Sequence, residues 1–311
     1  MPDPLVSLPR GWRGPLANRE LEILRNALLE HVTALAVDIG PRTPSIGNSL
    51  VRTANYIHSV FDEAGLSVRE QSYKYDDQRV VNVLATAPTA AGASAYYLVG
   101  AHYDTVPGTP GADDNASAVA VMLELARRLE RLKAPVLFAA FTLEEPPAYL
   151  TGHQGSRIFV RSCHDRGDRV LGAIILEMVG FTAPRQRYPY LGRWPGYPAE
   201  GNFIGIIANW RSWRFGHSVL RGFRKNTDLP VESLFLPFNG RILPETRLSD
   251  HASFWDAGLP ALMVTDTAFF RNPNYHLPSD TIDTLDFTFM AELVRSLELA
   301  LLELPAASTK S

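Results

Sequence analysis

Of the 311 residues only Cys163 is cysteine. That excludes a disulfide framework and a cysteine-built zinc site. It fits a reducing compartment, and the expected location is cytoplasmic. A charge excess is also missing: 30 Lys+Arg stand against 33 Asp+Glu, a net charge of −3. A dedicated nucleic-acid binder usually carries a basic surplus, so nucleic acid is not an expected partner. No apolar run approaches the roughly 18 residues of a membrane span. The longest, Ala134–Leu143 and Val170–Leu176, are strand-sized, so no membrane partner is expected either. Met1–Leu16 is rich in Pro, Gly and Arg and lacks the apolar core of a signal peptide. A trimmed export signal stays open, and so does the oligomeric state.

What is present is an ordinary globular composition, 46% hydrophobic and 20% charged. Helical spacing runs over about Asn18–Val37, where Gly40-Pro41 stops it, and again over Ser45–Ala64, where Gly65 ends it. Extended stretches follow at Val68–Tyr75 and Val80–Ala87, then the short apolar strand Ala95–Ala101. From there strands and helices alternate. Helices are expected at Ala116–Leu132, Gly155–Cys163, Ser212–Lys225 and Thr288–Leu304. Strands are expected at Val136–Thr142, Leu171–Leu176, Phe203–Ala208, Val231–Leu236 and Ala261–Val264. This alternation predicts an α/β fold with a mostly parallel central sheet and helices on both faces. Nothing resembles an interdomain linker, so residues 1–311 are read as one domain. Its irregular insertion, at about 181–201, is rich in Tyr, Arg, Pro and Gly and contains Trp194.

In open α/β sheets, ligands gather beyond the carboxyl ends of strands. The polar residues there are His102 and Asp104, Asp113 and Asp114, Glu144 and Glu145, Glu177, and His276, with Asp250-His251 ahead of the last strand. Singly, most have ordinary readings: Asp113-Asp114-Asn115 suits a helix cap, and Glu-Glu pairs usually sit in solvated loops. Glu177 is harder to dismiss, because it ends a continuously apolar strand where an unpaired carboxylate is costly. Two histidines and several carboxylates at one sheet edge are the ingredients of a divalent-metal site. Nitrogen and oxygen donors without sulfur suit Zn²⁺, with Co²⁺, Mn²⁺ or Ni²⁺ as substitutes.

Four segments, in order, resemble the motifs of the M28 family of zinc peptidases. They are YLVGAHYDTVPGTPGADDNASAVAVMLELA (Tyr97–Ala126), FTLEEPPAYLTGHQGSRIFV, LEMVGF, and SDHASFWDAGLPALMV followed by NYHLPSDTIDTLD. The resemblance implies a dizinc exopeptidase acting on peptides, most readily an aminopeptidase. By that resemblance His102 and Glu177 hold one zinc, Glu145 and His276 the other, and Asp113 bridges both. Glu144 is the general base. Asp104 orients His102, Asp280 supports the region of His276, and the peptide bond Asp113–Asp114 is cis. Tyr275, Arg271 and Trp194 are candidate substrate contacts, Tyr275 from its place beside His276.

The chain departs from the family pattern at Glu177, where many aminopeptidases carry Asp, and at Pro146-Pro147. Two alternatives stay open. A carboxypeptidase of the same family would use an Arg to grip the substrate carboxylate. A glutaminyl-peptide cyclotransferase would work with a single zinc, Asp250 shuttling protons.

Overall fold

The computed structural model describes residues 15–129, 132–189 and 195–306. Trp194 and Tyr190 therefore lie outside the described residues, as does most of the segment Met1–Leu16.

The first described element is helix α1 (Pro15–Val32), which continues into a wider turn at Thr33–Ile39 rather than running unbroken to Val37. Helix α2 (Ser49–Glu63) follows and gives way at Gly65, whose φ of 77° is the left-handed conformation glycine tolerates. The hairpin β1 (Ser67–Tyr75) and β2 (Gln78–Thr86) leads to β3 (Ala95–His102), α3 (Ala118–Ala126), β4 (Val136–Phe141), α4 (Gly155–Arg166) and β5 (Arg169–Glu177). The second half runs β6 (Ile204–Asn209), α5 (Trp213–Phe223), β7 (Val231–Leu236), α6 (His251–Asp256), β8 (Ala261–Thr265) and α7 (Phe287–Leu302). Asp286 caps α7 by accepting from the backbone N–H groups of Thr288 and Phe289. Helix α3 is shorter than the expected Ala116–Leu132: it ends at Ala126, and its first two expected residues belong to a separate kinked turn at Ala112–Ser117.

The eight strands form one sheet in the order β1-β2-β4-β3-β5-β8-β6-β7. It is mixed. The central run β4-β3-β5-β8 is parallel, as expected, and β6 pairs parallel with β7. The joins β1–β2, β2–β4 and β6–β8 are antiparallel. The centre is parallel because α3 and α4 cross over between its strands. β3 and β4 are buried along almost their whole lengths, since helices cover both faces. One core lies on the face of α1, α2, α3, α5 and α7; a smaller one, built around Phe141, Phe159, Phe254 and Trp255, lies under α4 and α6. No helix among the described residues is long and apolar enough to cross a membrane.

The insertion is pinned at its base by the Ala183–Gly201 bridge and by Gln186 N–H donating to Ala199 O.

Candidate metal centre

Parallel pairing of β3, β4, β5 and β8 brings their carboxyl ends to one edge of the sheet, and the polar residues beyond them converge there. His102 ends β3, Glu144 and Glu145 follow β4, Glu177 ends β5, and His276 lies in the long loop after β8. His102 Nε2 is 3.4 Å from Glu177 Oε2, 3.4 Å from Asp114 Oδ1 and 4.0 Å from Glu144 Oε2. His276 Nε2 is 3.2 Å from Asp114 Oδ2 and 3.3 Å from Glu145 Oε2. Two three-residue donor sets have Asp114 in common, His102–Asp114–Glu177 and Asp114–Glu145–His276, and a third group, His102–Glu144–Glu145, lies beside them.

The residue shared by the two sets is therefore Asp114, not Asp113. The Asp113 carboxylate turns away, accepting from Asn272 Nδ2 at 2.7 Å, Gly180 N at 2.9 Å and Ser117 Oγ at 3.2 Å. The cis peptide bond is likewise one residue further on, at Asp114–Asn115. Asn115 locks this turn to β5: its Nδ2 donates to Leu176 O and its Oδ1 accepts from Met178 N. Asp280 accepts from the backbone N–H of Asp113 at 2.9 Å and of Asp114 at 3.0 Å. Its carboxylate thus supports the Asp114 turn, while its backbone N–H donates to the carbonyl of Leu277, next to His276.

Asp104 has a wider part than orienting one ring. Its backbone carbonyl faces His102 Nδ1 at 3.2 Å, and its carboxylate accepts from Glu144 N at 3.0 Å and Glu145 N at 3.1 Å. The same carboxylate thereby holds the loop that carries both glutamates. Three residues at the site occupy the left-handed region without being glycine: Leu143 (φ 58°), Met178 (φ 45°) and His276 (φ 59°). Such conformations cost about 1–3 kcal/mol each and persist where surroundings enforce them. Asp104 and Asn115 are among those surroundings.

A residue the motif reading missed is Ser249, whose Oγ donates to Glu177 Oε2 at 2.7 Å. It stands one position before Asp250 in the fourth motif, and a serine there carries no chemical signal of its own. Asp250 accepts from Gln154 Nε2 at 3.0 Å, and its other oxygen is buried without a partner. Burial raises its carboxyl to about 6.

Tyr275 stacks on His276, ring centres 3.7 Å apart, and lines the cleft with Glu144, Glu145 and Glu177. Arg271 is different from what its position suggests. It is buried and donates to Gln186 Oε1, Phe181 O and Phe203 O, with its guanidinium 4.6 Å from the centre of the Phe203 ring. It ties the insertion to β6 and cannot also grip a substrate carboxylate.

The cluster calls for positive charge. Burial drives Glu144 well above the usual carboxylate range and Glu145 to about 8. Burial opposes protonation of the two histidines, yet the surrounding carboxylates raise both, His276 to about 10. His102 Nε2 and Asp114 Oδ1 are buried and converge without a hydrogen bond. Imidazole and carboxylate atoms converging in this way are a donor set that fits a divalent cation of the zinc type.

The chain belongs to peptidase family M28, whose sequence signature matches residues 82–298. Among its relatives is the uncharacterized protein YfbL of Escherichia coli (strain K12), 34% identical, with 94% of this chain and 92% of that protein covered. A probable leucine aminopeptidase of Trichophyton verrucosum is 27% identical over 78% of this chain; the match spans 63% of that longer protein. In fold the chain resembles the LapA aminopeptidase of Legionella pneumophila (TM-score 0.72, 20% identity, 97% of this chain and 79% of that one). It also resembles the glutaminyl cyclase of Porphyromonas gingivalis (TM-score 0.67, 18% identity, 89% and 97%).

Proposed function

We propose that the chain is a dizinc aminopeptidase, removing N-terminal residues from peptides. The observation that carries this reading is the placement of Asp114, one oxygen toward His102 and Glu177 and the other toward His276 and Glu145. His102, Asp114 and Glu177 would hold one zinc ion, and Asp114, Glu145 and His276 the second; Co²⁺ or Mn²⁺ are chemically reasonable substitutes. When bound there, the ion pair supplies Lewis acidity to a carbonyl oxygen and lowers the pKa of water.

The chain's own residues supply the rest. Glu144 lines the cleft without belonging to either set that shares Asp114. Its Oε accepts a proton from the attacking water and delivers it to the nitrogen of the departing amine. Asp104 holds Glu144 and Glu145 in register through their backbone N–H groups. Tyr275 stands at the cleft wall, where its hydroxyl can donate to the oxygen that gains charge. Arg271 is consumed by the insertion, which weighs against a carboxypeptidase. Two donor sets weigh against a single-zinc cyclase.

The test is a metal count joined to a product assay. Two ions per chain are expected, with release of the first residue from a free peptide and none from its N-acetylated form. One ion per chain, with pyroglutamate formed from a glutaminyl peptide, would overturn the reading.

A further inference from the structure

A second cavity, partly open to solvent, adjoins the cleft and shares Glu177, Leu248 and Tyr275 with it. One face of the sheet contributes its floor. Ladder pairing sets Glu177 opposite Thr265, Thr265 opposite Gly205, and Gly205 opposite Glu232. Residues opposite one another share a face, so these four form a row across β5, β8, β6 and β7. At about 4.8 Å per strand, the row runs roughly 14 Å from the metal cluster to Glu232. Beside it lies an apolar row, Met263–Ile207–Leu234.

Gly205 keeps the floor low. A Cβ there would meet Thr265 O at 3.5 Å and two methyl groups at 3.7 Å, which is ordinary contact. The backbone does not demand glycine at this place; a side chain would fit, and would project into the cavity.

The far end combines an acid with aromatic rings. Tyr188 and Tyr197 pack with ring centres 5.8 Å apart, and both hydroxyls are engaged by backbone carbonyls, those of Pro198 and Ser233. Burial raises the Tyr188 phenol to about 12, and the charge of Glu232 adds to the rise at both tyrosines. Glu232 itself makes no hydrogen bond or ion pair among the described residues, though the charge of the exposed Arg224 acts on it from further off. Arg187 lies at the cavity as well, but is exposed.

We propose that this cavity is a subsite for the side chain of a lysine or arginine on the acyl side of the scissile bond. The aliphatic stem lies on Met263, Ile207 and Leu234, and the cationic head meets Glu232 beside Tyr188 and Tyr197. The inference rests on the exopeptidase reading and adds to it the class of residue removed. A pocket for leucine or phenylalanine gains nothing from a carboxylate at its end, whose partial desolvation is a cost. A basic side chain supplies that carboxylate with a partner.

The experiment compares kcat/KM for lysyl-, norleucyl- and alanyl-p-nitroanilide with the zinc-loaded protein. Norleucine keeps the stem and loses the charge. The lysyl-to-norleucyl ratio is expected to be about tenfold or more, and to fall by about that factor in Glu232→Gln. In Gly205→Leu the ratio of either long substrate to alanyl should fall. A lysyl-to-norleucyl ratio near one, or a ratio that Glu232→Gln leaves in place, would overturn the subsite. Calorimetric titration with L-lysinamide and L-norleucinamide separates the two claims. A lysinamide advantage that disappears in Glu232→Gln upholds the subsite even if no substrate is hydrolysed, and in that case the exopeptidase reading alone falls. Equal binding of the two amides overturns the subsite.

Discussion

Asp114 divides its carboxylate between two histidines, with Oδ1 3.4 Å from His102 Nε2 and Oδ2 3.2 Å from His276 Nε2. Its neighbour Asp113 is equally buried and points the other way, to Asn272, Gly180 and Ser117. The two adjacent acids should therefore respond differently to the same substitution. Asp114→Asn is expected to lose tightly bound metal and to lower kcat/KM by orders of magnitude. Asp113→Asn is expected to keep its metal while losing about 1–3 kcal/mol of stability, the cost of disturbing a buried hydrogen-bonded carboxylate. Metal analysis and urea unfolding of both variants check this. Metal loss confined to Asp113→Asn would reverse the assignment.

Glu144 should be separable from the metal ligands. Glu144→Gln keeps the side chain's size and removes its ability to take a proton. Metal content is expected to hold, while kcat falls by about 10²–10⁴, the usual range for a positioned acid–base group. Turnover of an aminoacyl anilide by metal-matched samples is the measurement. A variant as fast as the parent would remove Glu144 from the mechanism.

The doublet Asp113-Asp114 also shows where the sequence stops being informative. All eight strands and the order of the chemistry-bearing residues were legible: apolar runs mark the buried central strands, spaced side chains mark the exposed β1, and polar residues follow the carboxyl ends of the central strands. Which of two consecutive acids faces the cluster was not. That choice depends on the backbone path through a kinked turn, and the path is set by groups distant in sequence: Asp280 receives both amides, and Asn115 anchors to Leu176 and Met178. Arg271 misled for a similar reason. An arginine in a loop near a motif reads as exposed, but here Gln186, Phe181 and Phe203 draw it inside. The antiparallel joins at β2–β4 and β6–β8 lie between strands far apart in the chain or separated by long loops, and such pairings leave no local pattern.

Arg42 is the residue whose loss should cost the fold most outside the site. It is fully buried, and its guanidinium donates to the carbonyls of Leu35, Gly40, Tyr103, Pro110 and Gly111. These bonds join the turn that follows α1 to the loop between His102 and Asp114. Burial lowers its pKa only to about 10, so it stays charged at neutral pH. Arg42→Met leaves several buried carbonyls without a donor, each worth about 1–3 kcal/mol. A loss of more than about 3 kcal/mol in urea unfolding is expected. A loss below about 1 kcal/mol would show that water replaces the guanidinium.

His251 gives the protein an acid-sensitive element away from the metal donors. Its ring is fully buried, meets Trp255 edge-on at 4.5 Å, and donates from Nε2 to Thr246 O at 2.8 Å, while Nδ1 has no partner. Burial, with the charge of Arg247 adding to it, lowers its pKa from 6.5 to about 4. Between those values the unfolded chain binds a proton that the folded chain refuses, so stability falls as pH drops from 6.5 toward 4. From pH 7 to pH 5 this one group removes on the order of 2 kcal/mol. His251→Phe keeps the ring contact with Trp255 and abolishes the titration. The variant loses its bond to Thr246 and is expected to be less stable than the parent at pH 7, but to lose less on going to pH 5. Urea midpoints of both proteins at the two pH values, after chelator treatment so that metal release does not enter, give the comparison. Parallel losses in parent and variant would mean that His251 is not the group that titrates.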